Sequence, residues 1–130
     1  MFYTLYPMEK IIDYSKNGHK ILVEKVDGKI RLIKNGEPII ETSGALLLSE
    51  DGYSPVYYIQ FNDARGHLEP SETHSTCPYK GKASYYSLKY NNVIEKDKVW
   101  RYCNSTEEFE KIRDYVAFYP DAIDKIERIE

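Results

Sequence analysis

From residue 20 onward the chain alternates short apolar runs with two-residue turn signals. Asp27-Gly28 separates "KILVEKV" from "KIRLIK", and Asn35-Gly36 separates that run from "EPIIET". Branched apolar residues flanked by Asp-Gly and Asn-Gly, which tolerate left-handed backbone, predict consecutive β-hairpins. The run "ALLLS" ends at Asp51-Gly52, and "PVYYIQF" supplies another strand. The polar stretch "NDARGHLEPSETHST" then reads as the longest loop. Next, "KASYYSLKY" alternates, with Tyr86, Leu88 and Tyr90 on one face and Ala83, Tyr85 and Ser87 on the other. Asn91-Asn92 turns it into "VIEKDKVWRYC", where Trp100 and Tyr102 share a face. Paired as a hairpin, these two strands bring Tyr85 or Tyr86 beside Trp100.

One helix is predicted. Ser105 as N-cap with Glu108 three residues later forms a capping box, and Phe109, Ile112 and Val116 keep helical spacing, so the helix covers 106–115. "YVAFYP" reads as a last core strand stopped by Pro120, and "DAIDKIERIE" fits either a helical turn or an edge strand. No internal repeat or low-complexity linker divides the chain. The expected fold class is mainly β with one short α-helix in the C-terminal half, and residues 1–130 are expected to form one domain.

Composition narrows the function classes. At 130 residues the chain can close a hydrophobic core without staples. A net charge of −3 and a pI near 5.7 provide no global attraction to nucleic acid or to an anionic membrane, so neither is an expected partner. The start "MFYTLYPMEK" lacks the basic flank and apolar core of a signal peptide, and no segment reaches the ~20 apolar residues of a transmembrane helix. The expected address is cytoplasmic, with Cys77 and Cys103 as thiols. Thirteen tyrosines against four phenylalanines and one tryptophan predict rings on strand faces that border solvent or a cleft, because their hydroxyls need partners.

Three blocks invite comparison: "STCPYKGKASYY" (75–86), "VWRYC" (99–103) and "YVAFYPD" (115–121). Together with "IRLIKNGEPIIETSGALLLSE" and "PVYYI" they resemble the family known as domain of unknown function number 427, also labelled nucleotidyltransferase-like, over about residues 30–121. The resemblance implies a compact domain of coiled antiparallel sheets, similar in topology to methionine-R-sulfoxide reductases. It brings no catalytic residues with it.

The nucleotidyltransferase label finds little support in the residues. Such enzymes need paired carboxylates for Mg²⁺, and this chain has no D-x-D; "PYKGK" also lacks the spaced glycine of a P-loop. Cys77 is flanked three residues away by His74 and Lys80, cations that would raise its thiolate fraction, with Cys103 as a resolving partner. A cysteine before a proline at the mouth of a strand equally fits a small buried residue with an inert thiol. His67, His74, Cys77 and Cys103 are too scattered to predict zinc, so no metal and no cofactor are expected.

The run from Tyr79 to Arg101 holds six Lys or Arg against two acids and is the chain's basic island. Lys80 beside Gly81 could present an ammonium and backbone N–H groups to a phosphate or carboxylate. Gly81 also fits a plain positive-φ turn, and the run also fits a solvated charged hairpin. The leading expectation is a tyrosine-lined cleft for a small anionic ligand, such as a nucleotide, formed by Ser75, Tyr79, Lys80, Gly81, Tyr85, Tyr86, Trp100, Tyr102 and Tyr119. The alternatives are a cysteine-dependent oxidoreductase or transferase, with Cys77 and Lys80 as catalytic residues, and an interaction module that docks through a strand edge. Oligomeric state is left open.

Overall fold

The computed structural model describes residues 8–129, which form eleven strands in two antiparallel sheets. The strands are β1 (Glu9–Lys16), β2 (His19–Lys25), β3 (Lys29–Lys34), β4 (Glu37–Ser43), β5 (Leu46–Glu50) and β6 (Val56–Gln60), then β7 (Leu68–Cys77), β8 (Gly81–Tyr90), β9 (Val93–Ser105), β10 (Tyr115–Phe118) and β11 (Lys125–Ile129). The larger sheet has the order β1-β2-β5-β6-β10-β9-β8-β7, and the smaller one has the order β11-β3-β4. The mainly β fold class is as expected.

Turn chemistry explains three hairpins. Asn17-Gly18, Asn35-Gly36 and Asn91-Asn92 each place two successive residues at positive φ, the mirror-image turn whose twist matches that of paired strands. They join β1 to β2, β3 to β4 and β8 to β9. Asp27-Gly28 does not make the expected hairpin, because β2 pairs with β1 and β5 while β3 pairs with β4 and β11. The physical reason lies in burial: Ile21 and Val23 of β2 join one apolar cluster, whereas Ile30 and Leu32 of β3 join another. The turn carries the chain between sheets.

Central strands serve both clusters by alternation. Tyr58 and Ala117 face the cluster with Ile21, Val23 and Phe109, while their neighbours Ile59 and Val116 face the cluster with Ile30, Leu32 and Leu88. Period-2 placement in β8 is also as predicted: Ala83 and Tyr85 lie on the first side, Tyr86 and Leu88 on the second.

Two expected elements differ. The segment read as a long loop holds a four-residue helix, α1 (Phe61–Ala64), a 3-10 turn (Arg65–His67) and then β7. Strand β7 sits at the sheet's edge and pairs with β8 alone, so a mostly polar sequence with Pro70 suits it and shows no apolar alternation. The expected α-helix over 106–115 is a 3-10 segment, Glu107–Ile112, broken at Phe109 (φ −112°, ψ 19°). Ser105 does not cap it. Its hydroxyl donates to the Thr106 carbonyl at 2.8 Å and accepts from Arg113 Nε at 2.8 Å, so tertiary bonds take the capping capacity. Beyond Pro120 both readings hold in turn, a 3-10 turn (Pro120–Ala122) followed by edge strand β11.

Candidate ligand-binding cleft

Strand β5 ends at Glu50, and a five-residue loop leads from there to β6. Opposite this loop, Pro78–Lys80 link β7 to β8, since Cys77 pairs with Gly81. The Pro78–Lys80 link is pinned to the end of β9: the Thr106 hydroxyl donates to the Tyr79 carbonyl at 2.9 Å, and the Thr106 N–H donates to the Lys80 carbonyl at 3.0 Å. Gly81 makes this approach feasible, because at φ +104° an added Cβ would lie 2.7 Å from the Thr106 nitrogen. Between link and loop lies a cleft of about 520 Å³, whose aromatic walls are Tyr58, Tyr85, Trp100, Tyr102 and Tyr119, with Tyr53 at its mouth.

Lys80 forms part of the cleft's lining, yet only 7% of the residue is exposed. Its ammonium is paired with Glu50 Oε1 and lies 5.5 Å from the Tyr102 ring centroid. The other Glu50 oxygen is 2.8 Å from His19 Nε2, and the His19 ring stacks on Tyr79 at 4.4 Å. A burial-matched ion pair therefore stands where the sequence suggested an open cation. Glu50 and His19 escaped sequence reasoning, since each lies thirty or more residues from Lys80 and no local spacing links them.

The phenols form short hydrogen-bond chains. Trp100 Nε1 donates to Tyr58 Oη at 3.1 Å, and Ser75 Oγ is 2.9 Å from Tyr85 Oη. Burial pushes the Tyr58 and Tyr102 phenols well above the usual tyrosine range. Tyr119 is pushed up to about 12 by its hydrogen bond to Tyr85 and then by burial. All three are neutral donors near pH 7.

The predicted residues separate into two groups. Cys77, Lys80, Tyr85, Trp100, Tyr102 and Tyr119 share the cleft, and Ser75 reaches it through Tyr85. Tyr86 lies on the opposite face against Phe61 at 5.7 Å, Tyr79 packs behind on His19, and Gly81 has a backbone role. The basic island disperses rather than converging: Lys98 pairs with Asp121 at 2.7 Å, and Arg101 reaches Asp114 at 3.1 Å while stacking on Phe61.

Cysteine and histidine placements follow strand parity. His74 and Cys77 are three apart in β7, so they point to opposite faces. His74 and Cys103 meet Ser84 on the outer face at 3.5 and 3.4 Å, whereas Cys77 packs against the inner cluster. His74 is therefore no activating cation for Cys77, nor is Cys103 its resolving partner. His67 lies apart, 3.0 Å from the Lys89 carbonyl. Among the described residues no group of three or more His, Cys, Asp or Glu could hold a metal ion, and no helix is long and apolar enough to cross a membrane.

A family model described as a domain of unknown function, DUF427, matches residues 22–128, from β2 to β11, and so includes every cleft residue named above. No curated protein matches the chain.

Proposed function

The chain belongs to the DUF427 family of domains of unknown function, and from that premise we propose that it binds a small ring-bearing molecule in the tyrosine-lined cleft, with one acceptor group of the ligand on the Lys80 ammonium. The carrying observation is the Lys80–Glu50 pair within a cleft otherwise lined by uncharged, largely aromatic and apolar side chains. A lysine ammonium has three protons, and among the described residues Glu50 is the one side-chain acceptor that Lys80 Nζ meets. The remaining protons suit a carboxylate or a carbonyl. Rings on both sides supply stacking and edge contacts for a planar body.

Glu50 also sets the charge the cleft accepts. A charge pair at about 4 Å near a protein surface is worth roughly 4 kcal/mol, so repulsion from Glu50 cancels most of the attraction of Lys80 for a second negative charge. The anionic ligand expected from the basic island narrows accordingly to a monoanion or a neutral acceptor. Polyphosphates such as nucleoside triphosphates fit less well. A cytoplasmic setting goes with this reading, with Cys77 and Cys103 kept as thiols on opposite faces.

Benzoate is a simple probe of the site. Titrated into the native protein it is expected to bind, with heat by calorimetry and a change in the emission of Trp100, the chain's one tryptophan. The double variant Glu50→Gln with Lys80→Met removes both charges without stranding either, and is expected to lose at least about tenfold in affinity while staying folded. No binding by the native protein, or binding unchanged in the double variant, refutes the proposal.

One observation favours a second reading, a cysteine-dependent oxidoreductase or transferase. Cys77 lines the cleft, and the Lys80 backbone N–H donates to its Sγ at 3.4 Å, which holds the sulfur in place at the cleft wall. Cys77 would have to act without His74 or Cys103. Iodoacetamide should then alkylate Cys77 in the folded protein more rapidly than an ordinary thiol at pH 7; alkylation of Cys77 only after unfolding eliminates this reading.

A further inference from the structure

A second, smaller cavity of about 160 Å³ adjoins the cleft, bounded by Leu32, Ile59, Phe118 and Ile126. Leu32 comes from β3 and Ile126 from β11, so the small sheet supplies one wall, while β6 and β10 of the large sheet supply the other. Pro55, Val56, Trp100 and Pro120 line both cavities and form the partition between them. Among the described residues no charged side chain borders the smaller cavity. Ile126, on the edge strand β11, is 39% exposed, an apolar side chain left partly in water.

We infer that the two cavities make one composite site for an elongated amphipathic ligand, whose polar-ended ring occupies the cleft and whose apolar arm crosses Trp100 into the second cavity. This rests on the cleft being a ligand site, as proposed above. Three features carry it. The shared lining sets the two spaces side by side, one layer of side chains apart at Trp100, which is where the arm of a single ligand would pass from one to the other. The charges are segregated: the Lys80–Glu50 pair borders the cleft, whereas among the described residues the second cavity is lined by Leu, Ile, Val, Pro and aromatic side chains, Tyr57 among them. Its volume is also informative. A dry apolar cavity of about 150 Å³ takes up benzene, so this space suits an arm of roughly six carbons. Removing such an arm from water is the main driving force available there.

The arm makes a quantitative difference that a cleft-only ligand would not. Across benzoate, 4-ethylbenzoate, 4-butylbenzoate and 4-hexylbenzoate, calorimetric affinity should rise by about fourfold per added methylene while the arm fits, and level off near the sixth carbon. Ile126→Phe on the half-exposed edge strand fills the second cavity without emptying the core. In that variant the ratio of 4-hexylbenzoate to benzoate affinity should collapse towards one. Benzoate binding that stays flat along the alkyl series, or a chain-length gain of the same size in Ile126→Phe, overturns the composite site while leaving the cleft intact. Failure of benzoate itself to bind refutes the cleft reading, and the composite site with it.

Discussion

Lys80 shows how far the environment of a residue departs from its type. Read along the chain it is a cation beside a glycine; in the fold it is 7% exposed and paired with Glu50. Two buried ions lose several kcal/mol each in hydration, and removing one partner of such a pair typically costs about 3 to 5 kcal/mol. A single Lys80→Ala change would therefore confuse lost binding with lost stability, which is why both charges are removed together above. The tyrosines permit a sharper test. Burial raises the Tyr58 and Tyr102 phenols above their unfolded value of about 10. The folded state then holds protons that the unfolded chain releases. The stabilisation is complete below about pH 10 and is lost as pH rises towards the folded-state values. In an ultraviolet titration of tyrosinate, Tyr58 and Tyr102 are expected to ionise only as the protein unfolds in alkali. Ionisation of all thirteen tyrosines along one ordinary curve in the folded protein would contradict this.

Among the elements, the link between β7 and β8 bears most directly on the site, because it sets the height of Lys80 in the cleft. Gly81 leaves it at φ +104°, and a methyl group there would meet Ser105 Cα at 2.8 Å and the Asn104 carbonyl at 2.9 Å. These are backbone atoms that cannot rotate away. Gly81→Ala should cost about 2 to 4 kcal/mol, from strained backbone and overpacking together. Urea unfolding measures it, and a loss under about 1 kcal/mol would mean that β9 yields easily. Elements were legible where local rules apply: Asn35-Gly36 and Asn91-Asn92 form the turns their residue types dictate, and "KASYYSLKY" alternates as written. They were not legible where a distant partner overrides the local signal. Ser105 and Glu108 spell a capping box, but Arg113 takes the Ser105 hydroxyl, and the segment tightens to 3-10 geometry. Strand β7 carries no apolar stripe because its place at the edge demands none.

Over the whole molecule, the candidate site joins residues that lie far apart in sequence. Glu50 ends β5, Lys80 follows β7, Trp100 belongs to β9 and Tyr119 follows β10. The aromatic excess announced a ring-lined cleft, and the blocks at 75–86 and 99–103 supply much of its wall. The second cavity gave no sign in the sequence, since Leu32, Ile59 and Ile126 sit in separate apolar runs that meet only in the fold. What the chain's order of residues determined by itself was the mainly β class, the left-handed turns at Asn35-Gly36 and Asn91-Asn92, the faces of β8 and the family. These depend on backbone preference and period-2 spacing, which act between near neighbours. Strand partners, the exchange between sheets at Asp27-Gly28, the neutralisation of Lys80 by Glu50 and the separation of Cys77 from Cys103 required the tertiary structure. Each is settled by which apolar faces bury together across long loops, and no short window of sequence contains that balance.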